Sequence, residues 1–158
     1  MAVTYEPIAT TTTANNTTKT ITFSSISGSY TDLVLVMGFA LVANDEVRIR
    51  FNSDTGSNYS RTYFEGNGTT ASSARQSSVN DIQILGRNAR MTNIVNIQNY
   101  SNSTTYKTFV GRFASSTING GIVALWRSTS AITSIEIRTD TNAFDTSSTF
   151  TLYGIKAA

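Results

Sequence analysis

Apolar and polar residues alternate along many short stretches of the chain. The clearest example places Val47, Ile49 and Phe51 on one face of an extended segment and Arg48 and Arg50 on the other. A period of two residues is typical of a half-buried β-strand. Similar segments, separated by turns rich in glycine, asparagine and serine, predict about ten short strands, in the ranges 19–25, 32–40, 46–52, 59–65, 79–85, 92–98, 105–113, 121–126, 132–138 and 148–155. The segment 3–9 is a further candidate for a short strand.

These segments predict an all-β protein. No stretch shows the period of an amphipathic helix, so the crossover helices of a parallel sheet have no place in the chain. Many short strands at regular spacing favour an antiparallel β-sandwich with a jelly-roll-like arrangement. The 158 residues fit a single domain, 1–158. Within it, we expect 1–18 to form an extended arm or an edge strand, because Pro7 restricts a strand to the edge of a sheet.

The longest polar stretch inside the chain runs from Gly66 to Ser78 and is rich in glycine, serine and threonine. Loops of this length in compact domains are usually functional or mobile. The sequence therefore predicts an interaction loop here.

Composition excludes much catalytic chemistry. The chain has no cysteine and no histidine, so Ser-His-Asp and Cys-His relays cannot be built from it. Charged residues are only 14% of the chain and the net charge is +2. Because the basic residues are scattered, we expect no nucleic-acid partner. Without a signal peptide or a segment of about 20 apolar residues, we also expect no membrane contact and a protein that is soluble where it is made.

Two patterns deserve a test as metal or catalytic sites. Asn52, Asp54, Gly56 and Asn58 place oxygen ligands at alternate positions, as calcium loops do, but the glycine and glutamate of an EF-hand loop are not at their required places. A turn built on Asp, Gly and Asn is the simpler interpretation. The ten carboxylates mostly fall at turns or outward strand positions, with Glu136 placed to face an arginine. We expect no catalytic pair, no metal and no cofactor.

Three arginines are the candidate partner-contact residues. Arg48 and Arg50 lie on one face of a strand, and Arg138 is placed to share their sheet. Such a basic strip suits an acidic partner. The alternative is ordinary surface charge that protects a strand from edge-to-edge association.

Five aromatic residues are compatible with a sugar-stacking platform, but most fall at inward strand positions, which favours a role in the core or in subunit contacts. They are Tyr59, Tyr63, Tyr100, Tyr106 and Trp126.

Several segments, in order along nearly the whole chain, resemble a family of tailed-bacteriophage virion surface proteins that is frequent in cyanophages. These segments are Phe23–Ile26, Tyr30–Val36, Arg50–Tyr59, Ile97–Asn102, Leu125–Ser128, Ala131–Ile135 and Ser148–Lys156. The Gly66–Ser78 stretch matches least well.

The resemblance implies a non-enzymatic virion protein. The first hypothesis that it supports is a capsid decoration (cement) protein that binds the major capsid protein. Such a protein is expected to be a homotrimer that lies on the capsid surface after assembly in the host cytoplasm. A tail-fibre component that recognises host glycan is the alternative. A carbohydrate-active enzyme or lectin unrelated to virions is a third hypothesis.

Overall fold

The computed structural model describes residues 4–86 and 88–156, and within these ranges the chain forms twelve β-strands and no helix. The strands are β1 (Tyr5–Thr12), β2 (Thr20–Phe23), β3 (Asp32–Phe39), β4 (Val47–Phe51), β5 (Tyr59–Gly66), β6 (Ala71–Val79), β7 (Ile82–Ile84), β8 (Met91–Gln98), β9 (Lys107–Ala114), β10 (Asn119–Trp126), β11 (Ile135–Thr139) and β12 (Thr149–Ile155). In the described part of the chain, no helix is long and apolar enough to cross a membrane.

The strands form two antiparallel sheets. One has eight strands in the order β1-β12-β3-β8-β9-β10-β5-β6, and the other has four in the order β2-β11-β4-β7. The inner faces of both sheets supply one hydrophobic core, in which Ile49 and Ile137 of the smaller sheet join Leu35 and Phe109 of the larger one. The predicted all-β antiparallel sandwich is confirmed.

The position of β1 in the sheet suits the proline that this strand contains. β1 lies at the edge of the eight-stranded sheet, and the pairing with β12 shifts register between Pro7 and Ala9. A proline has no N–H to donate, so an edge position with a bulge is where a strand tolerates it. Within the range 1–18, the edge strand spans Tyr5–Thr12, and positions 1–3 lie outside the described residues.

The prediction of a loop between Gly66 and Ser78 is wrong. Most of this stretch is β6, which pairs along its whole length with β5 as a hairpin. Eight of its nine residues are exposed. Because both faces of the strand are exposed to water, its side chains are mostly small or polar and show no alternation. The ladder to β5 satisfies its backbone groups on one side.

Aromatic residues fill the centre of the core. Trp126 lies 5.6 Å from Phe51 and 6.2 Å from Tyr59, measured between ring centroids. Tyr59, Tyr100 and Trp126 are buried, which confirms the core interpretation for these three residues. Tyr106 is exposed instead.

Candidate interaction surfaces

Arg48, Arg50 and Arg138 meet on the outer face of the four-stranded sheet. β4 and β11 are neighbours in this sheet, and Arg48 pairs in register with Arg138. The alternation that turns the apolar residues of β4 into the core turns its two arginines outward. The prediction that Arg138 shares a sheet with the other two arginines is confirmed.

A buried carboxylate holds the three arginines together. Asp81 is only 2% exposed, and it accepts hydrogen bonds from Arg48 Nη1 at 2.9 Å, Arg138 Nη2 at 2.9 Å and Arg50 Nη2 at 3.3 Å. It directly precedes Ile82, the first residue of β7, which is the edge strand beside β4. From the sequence, Asp81 is one of several aspartates expected at turns or strand ends. Its role depends on three arginines that lie 31 to 57 positions away in the chain.

Three further carboxylates surround this cluster, which we call the arginine–aspartate cluster. Glu46 lies 2.6 Å and Asp140 lies 2.8 Å from guanidinium nitrogens of Arg48. Glu136 lies 3.9 Å from Arg50 and 3.8 Å from Arg138, as predicted for a cross-strand partner of arginine. Four carboxylates therefore face three guanidinium groups.

The cluster is compensated in charge. Burial works to lower the pKa of the Arg48 guanidinium, but the hydrogen bonds that it donates to Asp81 and Asp140 outweigh burial, and the net pKa is raised. The three arginines keep only 16% to 24% of their side-chain surface exposed. Contact between these three arginines and a partner stays a prediction. A partner at this face would encounter guanidinium groups whose charge the four carboxylates already neutralise.

Arg61 joins the two sheets at a second polar site. Its side chain points from β5 into the interior, is 8% exposed, and donates to the side-chain oxygen of Gln76 at 2.9 Å and to both the backbone and side-chain oxygens of Gln83 at 2.8 and 2.5 Å. The guanidinium also lies 4.9 Å from the centroid of the Tyr63 ring. Burial lowers the pKa of Arg61. Since Gln83 belongs to β7 of the smaller sheet, these bonds connect the sheets beside a cavity of about 200 Å³.

The turn that resembles a calcium loop is stabilised by protein groups. The carboxylate of Asp54 accepts hydrogen bonds from the Gly56 N–H at 2.8 Å, from Asn58 Nδ2 at 2.9 Å and from Trp126 Nε1 at 2.7 Å. Its oxygens therefore serve as acceptors that hold the turn against the core. This geometry supports the interpretation of 52–58 as a turn.

The outer face of the eight-stranded sheet carries exposed apolar side chains. Val110 of β9 pairs in register with Val123 of β10, and their side chains are 38% and 50% exposed. Phe64 of β5 is 60% exposed and lies over Gly121, where an added Cβ would come within 2.6 Å of the phenyl ring. We call Phe64, Val110 and Val123 the outer apolar patch. The sequence did not single it out, because an outward valine in a strand looks like an inward one until the register is known.

β6 forms the other edge of the same sheet, and its pairing with β5 is regular except for a bulge at its last residues, opposite Tyr59 and Ser60. It is nine residues long, mostly serine and alanine, and Arg75 is its one charged residue. The opposite edge, β1, carries Pro7, Glu6 and a bulge. Proteins usually protect exposed edges with such features, because a free edge pairs readily with another strand.

No protein-family model and no curated protein matches the chain.

Proposed function

We propose that the chain is a non-catalytic structural protein of a tailed-phage virion, most specifically a capsid decoration (cement) protein that binds the major capsid protein lattice and stabilises the head. The ordered resemblance of seven segments to virion surface proteins suggests the class. The observation that carries the proposal is the outer apolar patch, which is exposed on the broad face of a rigid two-sheet body. Exposed apolar groups in one patch are typical of protein interaction sites.

A decoration protein stabilises a shell by adding buried contact area across the joints between capsid subunits. A β-sandwich suits this role because its faces are held in shape by a packed core and by ladders of backbone hydrogen bonds. In this proposal the protein acts as a homotrimer on the capsid surface, without nucleic acid or membrane as a partner. The free edge of β6 provides a place where a neighbouring copy contacts the chain.

The copy number in purified virions of the source phage tests the proposal. Quantitative mass spectrometry should find hundreds of copies in each particle, and labelled antibody should bind the head. A few dozen copies or fewer, with label on the tail, would support the tail-fibre alternative with its host glycan. A chain absent from the virion would overturn both interpretations.

Self-association gives a second measurement. The isolated protein should sediment at about three times its chain mass of 17.1 kDa. A clean monomer would contradict the trimer. The copy number in virions would still decide whether the chain is a virion protein.

A further inference from the structure

The register of the eight-stranded sheet places two arginines beside the outer apolar patch. Arg75 of β6 pairs with Thr62 of β5, which pairs with Val123 of β10. Arg112 of β9 lies opposite Gly121, the residue that Phe64 covers. Side chains directly opposite each other in neighbouring strands share a face. Arg75 and Arg112 are both exposed and therefore flank the apolar patch from two sides.

This face is positively charged without compensation from its own strands. The five strands β8, β9, β10, β5 and β6 are described completely, and Glu65 is their one acidic residue. Glu65 has the inward parity of Tyr63 and lines the cavity between the sheets. The outward positions of these strands thus carry two arginines and no carboxylate.

The two broad faces of the sandwich consequently differ in electrostatics. On the four-stranded sheet, Asp81 and three other carboxylates already occupy the arginines. On the eight-stranded sheet, the arginines are available to an incoming group. An open depression of about 240 Å³, lined in part by Thr62, Arg75 and Val123, lies in this face.

We infer that this face, defined by the outer apolar patch with Arg75 and Arg112, docks on an acidic protein surface that has apolar residues between its carboxylates. The inference rests on the proposed function, in which the partner is the capsid shell. Protein interfaces commonly combine an apolar centre with a polar rim and are enriched in arginine. The planar guanidinium suits paired contacts with a carboxylate.

A second copy of the chain is a poorer occupant. Two identical faces related by a two-fold axis would place Arg75 and Arg112 against β8, β9, β10, β5 and β6 of the other copy, whose outward positions offer no carboxylate. A nucleic acid also fits less well, because a phosphate backbone would leave Phe64, Val110 and Val123 facing charged, hydrated groups.

Co-sedimentation with phage capsids assembled without the chain tests the inference. Arg75→Glu and Arg112→Glu are each expected to weaken binding at least about fivefold, since each brings a carboxylate against acidic groups. Lys19→Glu is the matched control: it makes the same change in net charge at an exposed residue next to β2, and its binding should equal that of the wild type. Circular dichroism verifies that all variants are folded.

A shape-conserving variant tests the apolar part. Val123→Thr keeps the branched shape but replaces a methyl group with a hydroxyl, and we expect it to weaken binding about threefold or more. Binding of the wild type should also fall as salt is raised, and binding of the Arg75→Glu/Arg112→Glu variant should depend less on salt.

The possible results separate this inference from the proposed function. If the wild type does not bind capsids, the proposed function fails and this inference fails with it. If the wild type binds and the two arginine variants bind as well as Lys19→Glu, only the inference is overturned. It is also overturned if Arg112→Glu, which lies on the inner strand β9 and not on the β6 edge, breaks up the isolated oligomer. A third contrary result is that the arginine variants abolish binding to double-stranded DNA while Val123→Thr leaves capsid binding unchanged.

Discussion

The carboxylate of Asp54 accepts a 2.7 Å hydrogen bond from the indole Nε1 of Trp126, 72 positions away. Asp54 lies in the turn after β4 of the smaller sheet, and Trp126 ends β10 of the larger one. A buried tryptophan normally needs a partner for its N–H group. The contact therefore lets the largest core side chain be buried while it joins the two sheets.

Removing this acceptor should destabilise the fold. In Asp54→Ala, the indole N–H loses its partner in a nearly buried place, and we expect the free energy of unfolding to fall by about 1–3 kcal/mol. Urea denaturation measures it. Trp126→Phe and the double variant complete a cycle in which the loss from Asp54→Ala becomes smaller when the indole is already absent. Equal losses in both backgrounds would contradict a direct interaction.

Asp54 should also contribute to acid sensitivity. Partial burial works to raise the pKa of Asp54, but hydrogen bonds from Trp126, Asn58 and the Gly56 N–H outweigh it and the net pKa is lowered. Because the pKa is lower in the folded than in the unfolded chain, the stabilisation is present above about pH 4 and is lost as the pH falls through the folded-state value. The wild type should therefore lose stability below pH 4 more steeply than Asp54→Ala. Parallel curves would contradict this.

Asp81 should contribute far more to stability than Glu136, although both contact Arg50 and Arg138. Asp81→Asn leaves Arg48, Arg50 and Arg138 without their buried counter-ion, and breaking a buried ion pair costs about 3–5 kcal/mol. We expect the low end of that range, because the arginines are partly exposed and have other partners. Glu136→Gln is the control, with an expected loss below about 1 kcal/mol. Thermal and urea unfolding compare them; similar losses would show that Asp81 does not organise the cluster.

Two glycines should respond in opposite ways to alanine. At Gly120, an added Cβ would lie 2.2 Å from the backbone oxygen of Phe64 and 2.5 Å from the ring of Phe113. The β5–β10 pairing must shift to admit it, and we expect a loss of about 1–3 kcal/mol. At Gly38 of β3, nothing lies within 4 Å of the added Cβ, so alanine should be neutral or stabilising by up to about 1 kcal/mol. The melting temperatures of Gly120→Ala and Gly38→Ala test this prediction. A Gly120→Ala variant as stable as the wild type would contradict the close packing at Gly120.

The free edge of β6 should control self-association. Ala74→Lys places a charge on this edge, which opposes pairing with another strand, and should shift the isolated protein toward monomer in sedimentation experiments. Ala14→Lys makes the same change at another exposed position and should leave the oligomer intact. An unchanged oligomer in Ala74→Lys would place the subunit contact elsewhere.

Strands with one buried face could be predicted from the sequence, and β6 could not. In β4, Val47, Ile49 and Phe51 are buried while the residues between them are partly exposed. Burial of one face therefore produces a two-residue period of apolar side chains that is visible in the sequence. β6 has no buried face, and its pairing depends on β5 and on the hairpin rather than on its own side chains. Propensity and alternation carry no signal in such a strand.

The sequence by itself determined the all-β class, the alternation that separates core from surface, and the restriction of Pro7 to an edge, because these follow from local sterics and from which side chains avoid water. Only the tertiary structure decided that Asp81 gathers three arginines and that Arg75 and Arg112 lie unopposed beside an apolar patch. Both arrangements depend on strand order and register, which bring together residues far apart in the chain and leave no local pattern behind.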